Sequence, residues 1–386
     1  MTTVGERTDE TPRSDESKPP RSDESDPYQI RPFRDGDADG YRQLYEDVFD
    51  DEASRDWFAW KYRENPFADH VPIFVATADG EVVGARSFFA LPLRVGDRTI
   101  RSLQPCDTMV APDHRRRGIF TRLTERALAT YRADETRLCF NFPNAKTLPG
   151  NLKLGWRVVS PQPVWYRIQD PRALARTVSD RRSVRLGAAL GAPVLAGYTK
   201  TRATLGRLGR GYVTVERHES VPAERLAALS DRTDRSGIRV PRTERFLEWR
   251  YRNPRWAYRT YFLRSNGRDA AAMVVGTRDE SELTKTKLLD VLAPPSNRTD
   301  AAARFIPDVL DDCRESTLVA SLADSVPPDA LARYGFLPDD RLPLDRLTAT
   351  TTLVARPLED DGWTVDGVPI DDPSSWTLSF ADQDRN

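Results

Sequence analysis

The chain has 386 residues, 39% hydrophobic and 30% charged, which is enough apolar material for two packed domains and excludes a disordered or collagen-like chain. Its formal net charge of −1 leaves no global field to draw it to nucleic acid or an anionic membrane. No apolar run approaches the ~20 residues of a spanning helix. Cys106, Cys139 and Cys313 lie far apart and suit a reducing, cytoplasmic setting, not a disulfide framework. His70, His114 and His218 are equally scattered, so no metal-binding set is expected.

Residues 1–27 read as a disordered tail of Ser, Asp, Glu, Pro and Arg, in which RSDES occurs twice. Folded sequence begins at Tyr28, where Tyr28, Ile30 and Pro32 flank a first strand. Helices are expected from Asp35 to Phe49 and from Ser54 to Arg63. Pro72 to Thr77, Val82 to Phe89 and Thr99 to Ala111 are β-rich, with Asp79-Gly80 as a hairpin turn.

The most informative stretch is Asp107 to Leu123, DTMVAPDHRRRGIFTRL. It reads as the end of a buried strand, a turn holding Arg115, Arg116, Arg117 and Gly118, and then a helix. Ile119, Leu123, Ala127 and Tyr131 recur every four residues and mark that helix's buried face. A helix N-terminus offers unpaired backbone N–H groups and partial positive charge. Guanidinium groups beside it can fork onto phosphate oxygens, and Gly118 lets the backbone approach a bulky anion. The expected ligand group is a pyrophosphate. A P-loop is excluded because no Lys-Ser/Thr follows the glycine, and a dinucleotide fingerprint because there is one glycine where three are needed. Arg137 to Phe142 then gives a strand. Leu154-Gly155-Trp156 opens another, and Val164 to Ile168 the last of this set.

The Arg-x-x-Gly turn between strand and helix resembles the acyl-CoA loop of the GNAT acyltransferase superfamily, with Arg115 and Gly118 in the motif positions and Phe120 departing from a final Gly/Ala. The element order is also that of the family. The resemblance implies an α/β (α+β) fold with a mixed, mainly antiparallel sheet flanked by helices. It implies transfer of an acyl group, most simply acetyl, from acetyl-CoA to a primary amine of a small molecule or peptide. It also implies that the backbone of Met109 and Val110 meets the pantetheine arm, that Arg115, Arg116, Arg117, Gly118, Ile119 and Phe120 hold the pyrophosphate, and that Asn144 contacts the cofactor. Many members place a tyrosine acid four residues before the glycine of the Leu-Gly-Phe/Trp strand. Asn151 stands there, so Tyr166 is an alternative acid and Asp107 a candidate base.

Landmarks of this region recur in order roughly 180 to 190 residues later, which points to tandem GNAT-like domains. Trp60-Lys61-Tyr62-Arg63-Glu64-Asn65-Pro66 returns as Trp249-Arg250-Tyr251-Arg252-Asn253-Pro254. Asp107 to Pro112 returns as Asp290 to Pro294, and Leu154-Gly155-Trp156 as Tyr334-Gly335-Phe336. The second loop, Pro295 to Asp300, has one Arg, no Gly and a carboxylate at the helix start, so the second copy is expected to have lost the cofactor. The expected organisation is a first domain over 28–170, a linker over 171–211, a degenerate copy over 212–355 and a tail over 356–386. The linker's apolar middle, Leu186 to Ala196, flanked by Arg, also fits an amphipathic segment at a membrane surface. Two other functional classes fit the same residues: a non-catalytic acyl-CoA-binding regulator or scaffold, and a cell-envelope amino-sugar acyltransferase at the membrane.

Overall fold

The computed structural model describes residues 26–178 and 214–384, apart from positions 135, 234–235, 281–282, 347, 349 and 360–361, together with a few positions between 193 and 204. The expected N-terminal tail, apart from its last residues, and all but Pro193 of Leu186 to Ala196 lie outside the described residues.

The first half starts with strand β1 (Gln29–Pro32), helix α1 (Ala38–Phe49) and helix α2 (Arg55–Phe58), whose last turns widen into a π-helical stretch over Ala59–Arg63. Ser54 caps α2 by accepting a hydrogen bond from the Trp57 amide. Strands β2 (Ile73–Ala78), β3 (Glu81–Val95) and β4 (Arg98–Val110) form a meander. Its first hairpin turns at Asp79 and Gly80, both at positive φ as a tight two-residue turn requires. Helix α3 (Ile119–Arg132), strand β5 (Thr136–Asn141), helix α4 (Leu148–Lys153) and strand β6 (Arg157–Gln162) complete the half. The expected face of α3 is buried: Ile119, Leu123, Ala127 and Tyr131 pack with Phe74, Phe88 and Cys139 of the sheet.

Strand β7 (Val164–Ile168) departs from expectation. It leaves the first half and joins the second sheet, which also holds β8 (Val215–His218), β9 (Ala257–Ser265), β10 (Arg268–Glu280), β11 (Leu283–Leu292), β12 (Leu318–Leu322) and β13 (Leu337–Pro338). In return β14 (Thr351–Pro357) crosses back and inserts between β5 and β6. The first sheet therefore runs β1-β2-β3-β4-β5-β14-β6 and the second β8-β9-β10-β11-β12-β7-β13, with the same order in each. Both are antiparallel except at β4–β5 and β11–β12. No local pattern specifies this exchange, because each strand is equally apolar for either sheet; long-range pairing decides it.

The two halves meet at the repeated tryptophan motif. Trp60 Nε1 donates to the Trp249 carbonyl at 2.8 Å, Trp249 Nε1 donates to the Trp60 carbonyl at 2.9 Å, and the rings stack with centroids 5.9 Å apart. This reciprocal pairing is what two related surfaces meeting across a local two-fold produce. The tail packs over both halves. Trp376 lies against Phe140, the Gln104 side-chain amide donates to the Asp382 carbonyl, and Arg242 ion-pairs with Asp290 and Asp382.

Candidate functional site

Two features of β4 build the site. The first is a bulge. Ala85 faces Met109 and Ser87 faces Cys106, so Asp107 and Thr108 together oppose the single residue Arg86. Asp107 takes a φ of 38°, left-handed and costly for a residue with a Cβ. The second is a splay. β4 pairs with β5 only over Arg101 to Leu103, although β4 runs on to Val110 and β5 to Asn141. Beyond that point the parallel strands separate and leave a notch edged by backbone groups with no strand partner. The Ala111 amide donates to Val83, so by alternation the peptide groups of Val110 turn toward the notch. Met109 itself is 1% exposed, with its side chain in the core. By the same alternation its peptide groups face Ala85 on β3, so Val110, not Met109, presents its backbone to the notch.

At the outer end of the notch lies the basic turn. Arg115, Arg116 and Gly118 are exposed, and Arg116 and Gly118 have φ of 62° and 76°. Gly118 is the N-cap of α3, and no side chain caps that end, so its first N–H groups face outward. Arg115 Nε donates to the Val110 carbonyl at 3.0 Å, which ties the turn to the notch edge. Arg117 leans away, donating to the Tyr28 hydroxyl at 3.0 Å. Ile119 is buried and anchors the helix start, while Phe120 sits against Gly150, where an added Cβ would come within 2.8 Å of its ring. Asn144 is exposed and its Oδ1 accepts from the amides of Lys146 and Thr147, both at 3.0 Å. That carbonyl is committed to its own turn, and only the NH₂ is left to offer a ligand.

At the inner end a cavity of about 580 Å³ opens between the halves. Asp107, Thr108, Arg86, Asn144 and Lys61 line it from the first sheet and its helices, Tyr166 from the exchanged β7, and Arg255, Trp256, Arg278 and Lys285 from the second half. Asp384 of the tail completes the wall. Lys61 is 3% exposed and its Nζ lies 2.7 Å from Asp107 and 3.6 Å from Asp384. Burial opposes its charge, but Asp107 and Asp384 outweigh that and hold its pKa above the ordinary lysine range. Asp107 also accepts from the Tyr62 hydroxyl, which in turn receives a bond from Tyr41 at 3.0 Å. Burial pushes the Tyr166 hydroxyl up to about 12, so it is protonated at neutral pH.

Cys106, Asp107 and Asp384 place ligand atoms within 4.8 Å of one another. Lys61 already supplies a cation to both carboxylates, and burial keeps the Cys106 thiol well above its usual range and so protonated. The chemistry of this cluster is that of a lysine-bridged carboxylate pair.

The structure thus brings Asp107, Tyr166 and Asn144 to one cavity and Arg115, Arg116 and Gly118 to one turn, with the end of β4 running between. Sequence reasoning missed Lys61, Arg86 and Asp384. Lys61 had a signal, a lone cation between Trp60 and Tyr62 on a buried helix face. Arg86 had one as well, a lone charge in the apolar run from Val82 to Leu91. Asp384 had none, because its placement depends on the path of the tail.

In the second half, β11 has its own irregularity at Leu289, and Asp290 is 1% exposed in an ion pair with Arg242. The turn before helix α5 (Arg298–Asp312) has no glycine, and Asp300 lies in its first turn. A carboxylate there competes with any anion for the helix end.

Residues 29–159 match the family described as acetyltransferase (GNAT) domain. The matched segment runs from β1 into β6 and contains the β4 bulge and the β4–β5 splay. Solved structures that share the fold include a GCN5-related N-acetyltransferase from Anabaena variabilis (TM-score 0.56, 11% identity, 86% of this chain and 73% of that one), a conserved protein from Enterococcus faecalis described as a probable N-acyltransferase (0.59, 11%, 87% and 74%), and a GCN5-related N-acetyltransferase from Kribbella flavida (0.52, 15%, 86% and 71%). Alignments of that extent span both halves of the chain. No curated protein matches it significantly. Among the described residues, no helix is long and apolar enough to cross a membrane.

Proposed function

We propose that this protein is an acyl-CoA-dependent N-acyltransferase, most simply an acetyltransferase, acting on a primary amine. One observation carries the reading: the open β4–β5 notch joins a basic helix N-terminus at one end to a carboxylate-lined cavity at the other. The turn at Arg115, Arg116 and Gly118 suits a pyrophosphate, with the Val110 N–H left to meet an amide-bearing arm. The thioester then comes to rest beside the bulge, where proximity to a bound amine supplies much of the rate. Asp107 is held by Lys61 and Tyr62 and orients the cluster. Asp384, with Lys61 3.6 Å away, is the carboxylate better placed to take the amine's proton. Tyr166, protonated, offers a hydroxyl on the acceptor side. The second half supplies Arg255, Arg278 and Lys285 to that side, and we assign it to the acceptor rather than to a second cofactor.

Release of free thiol from acetyl-CoA, measured over a panel of amino acids, amino sugars and peptides, tests the activity. Turnover with at least one amine is expected. Acyl-CoA binding with no turnover for any of them would favour a non-catalytic acyl-CoA-binding role.

A further inference from the structure

The buried cations of this protein are held in different ways. Lys61 has two carboxylates beside it, and Arg242 has Asp290 and Asp382. Arg86 is 2% exposed on the central strand β3, opposite the β4 bulge, and no carboxylate lies within ion-pair distance of it among the described residues. Its Nη1 donates to the Thr108 hydroxyl and its Nη2 lies 3.4 Å from Asn151 Oδ1. Its Nε is buried with no hydrogen-bond partner among the described residues. The Phe88 and Phe120 rings flank the guanidinium at 5.7 and 5.2 Å, which shields it from water without neutralising it. Burial lowers its pKa to about 10, which leaves it charged at neutral pH. A desolvated cation with a spare donor, lining an open cavity, is costly unless an anion arrives.

The place of this charge matters because of Asn151. That residue stands where a tyrosine acid was expected, it is fully buried, and an amide cannot give up a proton to a leaving thiolate. We propose that Arg86, oriented by Thr108 and Asn151, stabilises the negative charge that develops on the thioester during acyl transfer, in place of a proton-donating acid. The proposal rests on the acyl-CoA reading above. In the step it serves, the amine nitrogen bonds to the thioester carbonyl carbon and the C–S bond breaks with its electron pair on sulfur. The amine's extra proton goes to Asp384. Arg86 keeps all its protons and pairs with the thiolate, which is protonated by solvent after release. Charge pairing in a water-poor site is an effective way to lower such a barrier.

The test is a titration of the thiol of CoA bound to the intact protein, followed by the ultraviolet absorbance of the thiolate. The bound thiol is expected to titrate at least about one unit lower than free CoA. Arg86→Met should abolish that shift and Arg86→Lys should keep part of it. Arg86→Met should also lower kcat by about 10²-fold, with affinity for CoA lacking its sulfur unchanged and a melting temperature no lower than wild type. The proposal is overturned if Arg86→Met binds CoA normally and its thiol titrates as in wild type, or if Tyr166→Phe removes the shift instead. It is also overturned if Arg86 only sets a preference for a carboxylate-bearing acyl group such as succinyl, lost in Arg86→Met with the thiol titration unmoved. Failure of wild type to bind CoA at all would strike the acyl-CoA reading itself.

Discussion

The exchanged strands predict that the first half cannot fold as a separate piece. A fragment of residues 26–170 lacks β14, which pairs with β5 on one side and β6 on the other. Without it the sheet splits. Leu353, Val354 and Leu358, each no more than 1% exposed, leave the core. At about 1.5–3 kcal/mol for each large aliphatic side chain, the loss is roughly 5–9 kcal/mol before any backbone pairing is counted, comparable with the 5–15 kcal/mol total stability of a typical domain. The same fragment also carries β7 with no sheet to join. Urea unfolding followed by far-ultraviolet circular dichroism should show a single cooperative transition for the whole chain and none for the fragment. Residues 340–386 added as a separate chain should restore part of the transition if their pairing is what is missing. A point substitution in the exchanged strand tests the same claim in the intact protein. Leu353→Ala should cost about 2–5 kcal/mol and lower the single melting temperature of the whole chain. Cooperative unfolding of residues 26–170 on their own would refute the reasoning.

Other predictions concern the site. Lys61→Met leaves Asp107 and Asp384 without their cation and should destabilise by about 3–5 kcal/mol, seen as a lower urea midpoint at pH 7. Because the native pKa of Lys61 is raised, its stabilisation is complete below the unfolded value of about 10.4 and is lost as pH climbs beyond it. The gap between wild type and Lys61→Met should therefore narrow above that pH. Asp384→Asn should lower kcat by about 10²-fold while leaving acetyl-CoA affinity unchanged, and Asp107→Asn should lower both kcat and stability, since Asp107 braces Lys61 and Tyr62. Kinetics and thermal melting on the same preparations separate the two. Arg242→Ala would strand Asp290 and Asp382 in the interior and should cost about 3–5 kcal/mol, measured by denaturant unfolding.

Features written in neighbouring residues were legible in the sequence. The four-residue recurrence from Ile119 to Tyr131 and the single glycine at 118 fixed the start and face of α3, because helix period and turn chemistry are local. The recurrence of the Trp60 motif at Trp249 was visible, although their meeting at the interface is a property of the assembled halves. Strand ownership was not legible: Val164 to Ile168 carries no mark of which sheet it will enter. The tail carries Trp363 and Trp376, which are apolar enough to favour packing, but nothing in it placed Asp384 beside Lys61. Lys61 and Arg86 could have been found by asking why a charge interrupts a buried pattern, since an interior cation needs a counter-charge or a ligand.

The account rests on acyl-CoA occupying the notch with its phosphates at the basic turn. Calorimetric titration of acetyl-CoA into the intact protein, alongside Gly118→Asp, tests that most directly. The substitution puts a carboxylate where the pyrophosphate should sit, and it forces a side chain into a positive-φ position at a cost of about 1–2 kcal/mol. Saturable binding to wild type, abolished in a Gly118→Asp protein that still unfolds cooperatively, is the predicted result. Absence of binding to wild type, or undiminished binding to the variant, would contradict it.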